Sequence, residues 1–190
     1  ACALVELGMK VKAVADVSGT VYADTGLDVD KLLSWVSESG GVTGYPNAEP
    51  ITHHELFALD VDVLIPAALH AQITAENVES IRAPIIVEAA NGPITADAAA
   101  VLDHGGVHVI PDILANAGGV VVSYYEWVQN KTSNHWSADD VDTRLRNQIW
   151  DACDRVSAQR AQRACSRRAA AYIEASELLQ KVYSLRGIFP

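Results

Sequence analysis

Residues 85–110 read IIVEAANGPITADAAAVLDHGGVHVI, and their punctuation sets the fold class. Ile85 to Val87 is an unbroken β-branched run, the pattern of a strand covered on both faces rather than one. Thr95 stands where a helix would start, Gly105 and Gly106 stop that helix, and Val107 to Ile110 is a second, nearly all apolar run. Strand, helix, strand in that order call for a right-handed crossover and a parallel pair. Outward from this unit, Val11 to Ala15 and Val61 to Ile65 repeat the strand pattern. Asp28 caps a helix bearing Leu32, Leu33 and Val36 and stopped by Gly40 and Gly41. Thr52 and Glu55 have capping-box spacing before Leu56 and Phe57, and Thr74 is expected to head a further short helix.

From Ile113 onward no strand signal recurs. Ser137 with Asp140 caps a helix through Leu145, Ile149, Ala152 and Val156, and Ala169 to Leu185 forms another, with Ile173, Leu178 and Val182 as its inner positions. The turn-rich stretch from Ser39 to Pro46 reads as a loop, not a domain boundary. The expectation is therefore an α/β chain, doubly wound in style over its first half and all-helical at its end.

Composition narrows the function classes. The 190 residues are 49% hydrophobic and 20% charged, ordinary globular usage, and 24 acidic against 14 basic side chains leave a net charge of -10. With basic residues grouped only between Arg160 and Arg168, an extended nucleic-acid footprint is not expected. No apolar run approaches the roughly 20 residues of a membrane span. Three cysteines, Cys2, Cys153 and Cys165, are an odd number without metal spacing, which suits a reducing compartment and points to the cytoplasm. The opening ACALVELGMKVKAVAD carries no basic targeting region.

Ligands of open parallel sheets bind beyond the carboxyl ends of the strands. Asp16 ends the first strand, where a carboxylate can accept from ribose hydroxyls and disfavour a 2′-phosphate, although Asp16-Val17-Ser18-Gly19 is also good turn chemistry. Ala67 and Ala68 follow Pro66 after the next run and are small enough to admit a flat ligand. Asn91, in Glu88-Ala89-Ala90-Asn91-Gly92-Pro93, offers an amide or simply a turn. Residues 111–130, PDILANAGGVVVSYYEWVQN, carry Gly118 and Gly119 in a helical pattern, at about 1 kcal/mol each relative to Ala, so a ligand or another backbone is expected to approach closely there. His53 and His54 point apart on a helix and no metal site is expected. Trp127, Trp136 and Trp150 with Tyr124 and Tyr125 are assigned to packing under the helical tail. The Arg160 to Arg168 cluster is assigned to a solvated helix end, or to a contact with a further domain.

NAGGVVVSYYEW at 116–127, IPAAL at 65–69, VEAANGP at 87–93, VADVSGTVY at 14–22 and the closing RGIFP, in that order, resemble the cofactor-binding domain of glutamate dehydrogenases. The leucine, phenylalanine and valine dehydrogenases share the NAGG element but not the Val-x-x-Ser after it. The resemblance implies a Rossmann-like, mostly parallel sheet lacking its first strand and glycine-rich phosphate loop. It implies a dinucleotide-binding domain at 1–134 and a helical extension at 135–190 that packs on it and on a substrate domain absent from this sequence. It places Asp16 on the adenosine ribose, Ala67, Ala68 and Gln72 along the adenosine and ribose side, and Asn91 and Asn116 at the nicotinamide riboside. Val120 and Ser123 would contact the glutamate side chain.

NAD or NADP is implied, with NAD favoured by Asp16. So are L-glutamate, 2-oxoglutarate and ammonia as reactants, and a hexamer. The acid/base lysine and aspartate fall outside this sequence, so the chain by itself is expected to be inactive and, without the phosphate loop, to bind dinucleotide poorly. Ala89 stands where the family usually has glycine, and His70 with Ala71 replaces a more polar pair. A non-catalytic nucleotide-binding module and a dehydrogenase of another amino acid remain open alternatives.

Overall fold

The computed structural model describes residues 1–187, so the last three residues of the RGIFP element lie outside the described residues. The chain forms two compact units, one of Ala1–Leu64 with Ala75–Pro84, the other of Ile65–Thr74 with the chain from Ile85 onward.

In the first unit α1 (Cys2–Glu6) leads to β1 (Ala13–Asp16), β2 (Gly19–Tyr22), α2 (Val29–Ser39), β3 (Glu49–Ile51), α3 (His53–Phe57) and β4 (Val63–Leu64). Its sheet runs β1-β2-β3 and is antiparallel throughout, with Val14 opposite Val21 and Thr20 opposite Ile51. The first strand was expected to join a parallel sheet. Among the described residues it instead pairs with the run immediately after it, because Asp16 stabilises the reversal: its Oδ1 accepts from the Ser18 N–H at 2.7 Å and the Ser18 hydroxyl at 2.6 Å. Val21, Leu27, Leu32, Val42 and Tyr45 form the core here, so the 39–46 segment is a loop that buries Val42 and Tyr45. Asp28 caps α2 through the Lys31 N–H, and Thr52 and Glu55 form the expected capping box on α3. The helix expected after Thr74 is a single 3-10 turn, Val78–Ser80, too short a polar-flanked run to continue.

The second unit holds β5 (Ile85–Val87), α4 (Ala96–His104), β6 (His108–Ile110), α5 (Asp112–Ala115), α6 (Ala117–Thr132), α7 (Ala138–Arg163) and α8 (Arg167–Arg186). Strands β5 and β6 are parallel, with Ile86 opposite Val109, as the strand-helix-strand reading requires. Thr95 precedes α4, but its hydroxyl donates to the Ile73 carbonyl at 3.4 Å rather than capping the helix. Ser137 and Asp140 form a capping box on α7.

Leu114, Val156, Ala170 and Ala171 form a core in which α7 and α8 close over α5. The two alanines let the helices approach, and this displaces the expected inner face of α8: Leu178 and Val182 are exposed. The aromatic cluster also divides. Tyr125 is buried, stacks edge-on with Trp136 and donates to Gln148 at 2.6 Å, whereas Tyr124, Trp127 and Trp150 are exposed, not covered by the helical tail. Among the described residues no helix is long and apolar enough to cross a membrane.

Candidate functional site

Two loops of the second unit are laced together beyond the sheet. The Ala90 N–H donates to the Pro66 carbonyl at 3.0 Å, the Ala71 N–H to Gly92 at 2.9 Å and the Gln72 N–H to Pro93 at 2.8 Å. Ala67, Ala68 and Gln72 are thereby held beside the Asn91 turn, and both alanines face solvent. Ala71 takes a left-handed φ of 50°, an uncommon conformation for a residue with a Cβ, which the flanking hydrogen bonds hold.

Asn91 is exposed, and its Oδ1 accepts from the Asn116 Nδ2 at 2.6 Å. Asn116 sits at the junction of α5 and α6, immediately before Ala117. At 3.6 residues per turn, Asn116, Val120 and Ser123 fall within about 60° of one another around the helix. Val120 and Ser123 are both exposed, so these three side chains and Asn91 form one open stripe. The Ser123 hydroxyl donates its single proton to the Gly119 carbonyl at 2.9 Å.

The two adjacent glycines differ in their surroundings. A Cβ on Gly118 would lie 3.9 Å from Leu145 Cδ1, so that position faces α7 at ordinary contact distance. A Cβ on Gly119 would meet nothing within 4 Å. Among the described residues nothing requires glycine there.

Beneath the stripe lies a charge network. Glu88, directly after β5, is completely buried, and the Arg168 Nη2 reaches both of its carboxyl oxygens at 2.6 Å. Arg168 also donates from Nη1 to Asp112 Oδ1 at 3.1 Å. The Asp112 N–H donates to Glu88 at 2.8 Å, and the other oxygen of Asp112 accepts from the Gly92 N–H at 2.8 Å. Burial pushes the Glu88 carboxyl up from its ordinary value against the pull of Arg168. Burial pulls the Arg168 guanidinium down, and the two carboxylates more than reverse it, keeping it charged. Removing the arginine alone would leave an uncompensated buried carboxylate, at a cost of about 3–5 kcal/mol.

Arg168 therefore departs from its expected role as part of a solvated helix end, whereas Arg160 and Arg163 are exposed in the last turn of α7, Arg163 in a surface pair with Glu177. The clue in the sequence was Glu88, an acid directly behind an apolar strand, which needs a buried partner. Burial pushes the Cys153 thiol up, consistent with its place in the α7 and α8 core.

Asp16 lies in the first unit. Besides its turn bonds, its Oδ2 accepts from the Val42 N–H at 2.9 Å. Burial raises its carboxyl, and the Ser18 hydroxyl with the Ser18, Val42 and Gly19 N–H groups more than reverse this, holding it below the ordinary value.

Known proteins share this architecture. The model of the Glutamate/Leucine/Phenylalanine/Valine dehydrogenase family matches residues 1–187. A glutamate dehydrogenase of Thermotoga maritima is 45% identical over 185 residues, covering 97% of this chain and 44% of that protein. An NAD-specific glutamate dehydrogenase of Staphylococcus aureus is 44% identical over 170 residues, covering 90% of this chain and 41% of that one. Among solved structures, a hetero-hexameric glutamate dehydrogenase from Thermus thermophilus in a leucine-bound form superposes with a TM-score of 0.92 at 32% identity, over 100% of this chain and 44% of that one. The chain thus spans less than half the length of these relatives. With the strand-helix-strand unit, the helical end and the whole described length accounted for, the chain belongs to the Glutamate/Leucine/Phenylalanine/Valine dehydrogenase family.

Proposed function

We propose that this chain is the cofactor-binding part of an NAD(P)-dependent glutamate dehydrogenase, which interconverts L-glutamate with 2-oxoglutarate and ammonia. The observation that carries the reading is the open stripe of Asn91, Asn116, Val120 and Ser123. In bonding to each other, the asparagines leave the Asn91 amide NH2 group and the Asn116 carbonyl oxygen for other partners, a donor group and an acceptor group, the complement of a carboxamide. Exposed Ala67 and Ala68 and the open space at Gly119 fit a flat ring. A bound NAD or NADP supplies the hydride acceptor; the chain orients it. NAD is favoured by the charge of Asp16, which is assigned to the adenosine ribose, and by the NAD-specific relative.

Ser123 and Val120 are assigned to the distal carboxylate and the methylenes of glutamate. To donate to that carboxylate the hydroxyl must swing away from Gly119, so an amino acid with an apolar side chain gains nothing from the exchange. Residues 1–134 are assigned to dinucleotide binding. Residues 135–190 are assigned to an extension whose exposed Leu178, Leu179, Val182 and Leu185 pack on a substrate domain. The complete enzyme is proposed to be a cytoplasmic hexamer, and the 190-residue chain alone is expected not to turn glutamate over.

An NMR titration, which registers even millimolar binding, tests the cofactor assignment. NADH should move the side-chain amide signals of Asn91 and Asn116, and ADP-ribose, which lacks nicotinamide, should not. If both ligands leave every signal in place, or move only distant ones, the reading fails in favour of an interaction module.

A further inference from the structure

We propose that Arg168 is a positioning residue for the nicotinamide end of the site: from the first turn of α8 it anchors Asp112, which aligns Asn91 and Asn116 with each other. The inference rests on the assignment of those asparagines to the cofactor, but its geometry stands alone. Asp112 acts on both partners at once. Its Oδ2 holds the Gly92 N–H at 2.8 Å, fixing the turn next to Asn91. Its backbone carbonyl accepts the Asn116 N–H at 3.0 Å, fixing the helix junction that carries Asn116.

Asp112 would be free to rotate away from Gly92 were its other oxygen not occupied. That oxygen accepts from the Ile113 N–H at 2.8 Å and from Arg168 at 3.1 Å. Arg168 cannot follow it outward, since its second nitrogen is held by both oxygens of fully buried Glu88. A planar fork is needed to reach two carboxylates in two directions, and a lysine ammonium is a single point charge on a flexible stem. The C-terminal helix thus takes part in aligning amides contributed by a loop after β5 and by the start of α6. It does so without touching the ligand.

The test is made on the 190-residue chain. Because Arg168→Met alone strands a buried carboxylate, the informative variant is Glu88→Gln with Arg168→Met, which removes the charge with its partner. Arg155→Met is the control, since it breaks only the surface pair between α7 and α8 with Glu174. In the wild type, the Asn116 side-chain amide protons should show the shift and slowed exchange of a hydrogen-bonded donor. The double variant should bring them to free-amide values, Arg168→Lys should restore them in part, and the control should leave them unchanged.

A folded double variant with the Asn116 signal intact overturns the proposal. Should the double variant not fold, Arg168→Lys decides alone: an unmoved Asn116 signal overturns it and a moved one supports it. Weakening of NADH by about tenfold with ADP-ribose unchanged is the matching binding result. If the wild type fails to sense NADH at these amides, the cofactor assignment falls while the positioning result stands.

Discussion

Asn116 donates to Asn91 across 2.6 Å, joining the start of α6 to the turn beyond β5 although 25 positions separate them in the chain. The bond uses one N–H of Asn116 and one lone pair of Asn91, so the Asn91 amide N–H groups and the Asn116 carbonyl are not used by it. Asn116→Ala should therefore cost little stability, about 1 kcal/mol for a neutral bond between exposed groups. It should weaken NADH binding while sparing ADP-ribose. Thermal unfolding and paired titrations read the two effects, and equal weakening of both ligands would contradict the assignment.

Ser123→Ala removes a hydroxyl that bonds only its own helix, at Gly119. Stability should change by less than about 0.5 kcal/mol, as for other surface substitutions. In the complete enzyme, kcat/KM for glutamate should fall by about a hundredfold, with that for leucine or norvaline untouched. A parallel fall for all amino acids would place Ser123 outside the specificity site.

The two adjacent glycines should separate under substitution. Gly118→Ala and Gly119→Ala both raise helix propensity, by up to about 1 kcal/mol each, and neither new Cβ collides with anything. Both variants should melt higher than the wild type. Only Gly119→Ala, whose methyl would project into open space on the proposed ligand face, should weaken cofactor or substrate binding; unchanged affinity would remove the reason for glycine at 119.

Asp16 gives a signed pH dependence. Its folded carboxyl lies below the ordinary value of 3.8, so the stability it contributes is complete above that pH. It is lost as the pH falls toward and through the lower folded value. Asp16→Asn should lower stability at neutral pH, because the Ser18 and Val42 donors lose a charged acceptor, and should flatten the acid limb of the stability curve. Unfolding monitored by circular dichroism across that range checks it; an acid limb as steep as the wild type's would assign the dependence to other carboxylates.

Local chemistry carried much of the fold. Asp28, the Thr52–Glu55 box and the Ser137–Asp140 box each start a helix where their own backbone donors need acceptors, and the strands flanking α4 follow from runs rich in Val and Ile. These are contacts within a few residues, so the order of residues determines them. The hairpin of β1 and β2 is half visible in Asp16-Val17-Ser18-Gly19, whose turn chemistry stands beside a ligand-binding reading and gives no sign of the returning strand.

What only the tertiary structure decided depends on contacts distant in sequence. Arg168 finds Glu88 across 80 positions, and that partnership turns one arginine of an otherwise solvated basic cluster into a half-buried support for the site. The inner face of α8 was likewise set by Ala170 and Ala171 meeting Leu114 and Val156, which no periodicity within α8 announces. Helical spacing ranks positions by hydrophobicity, but close packing selects those small enough to let two helices touch, and a buried charge selects whichever long cation the fold brings within reach.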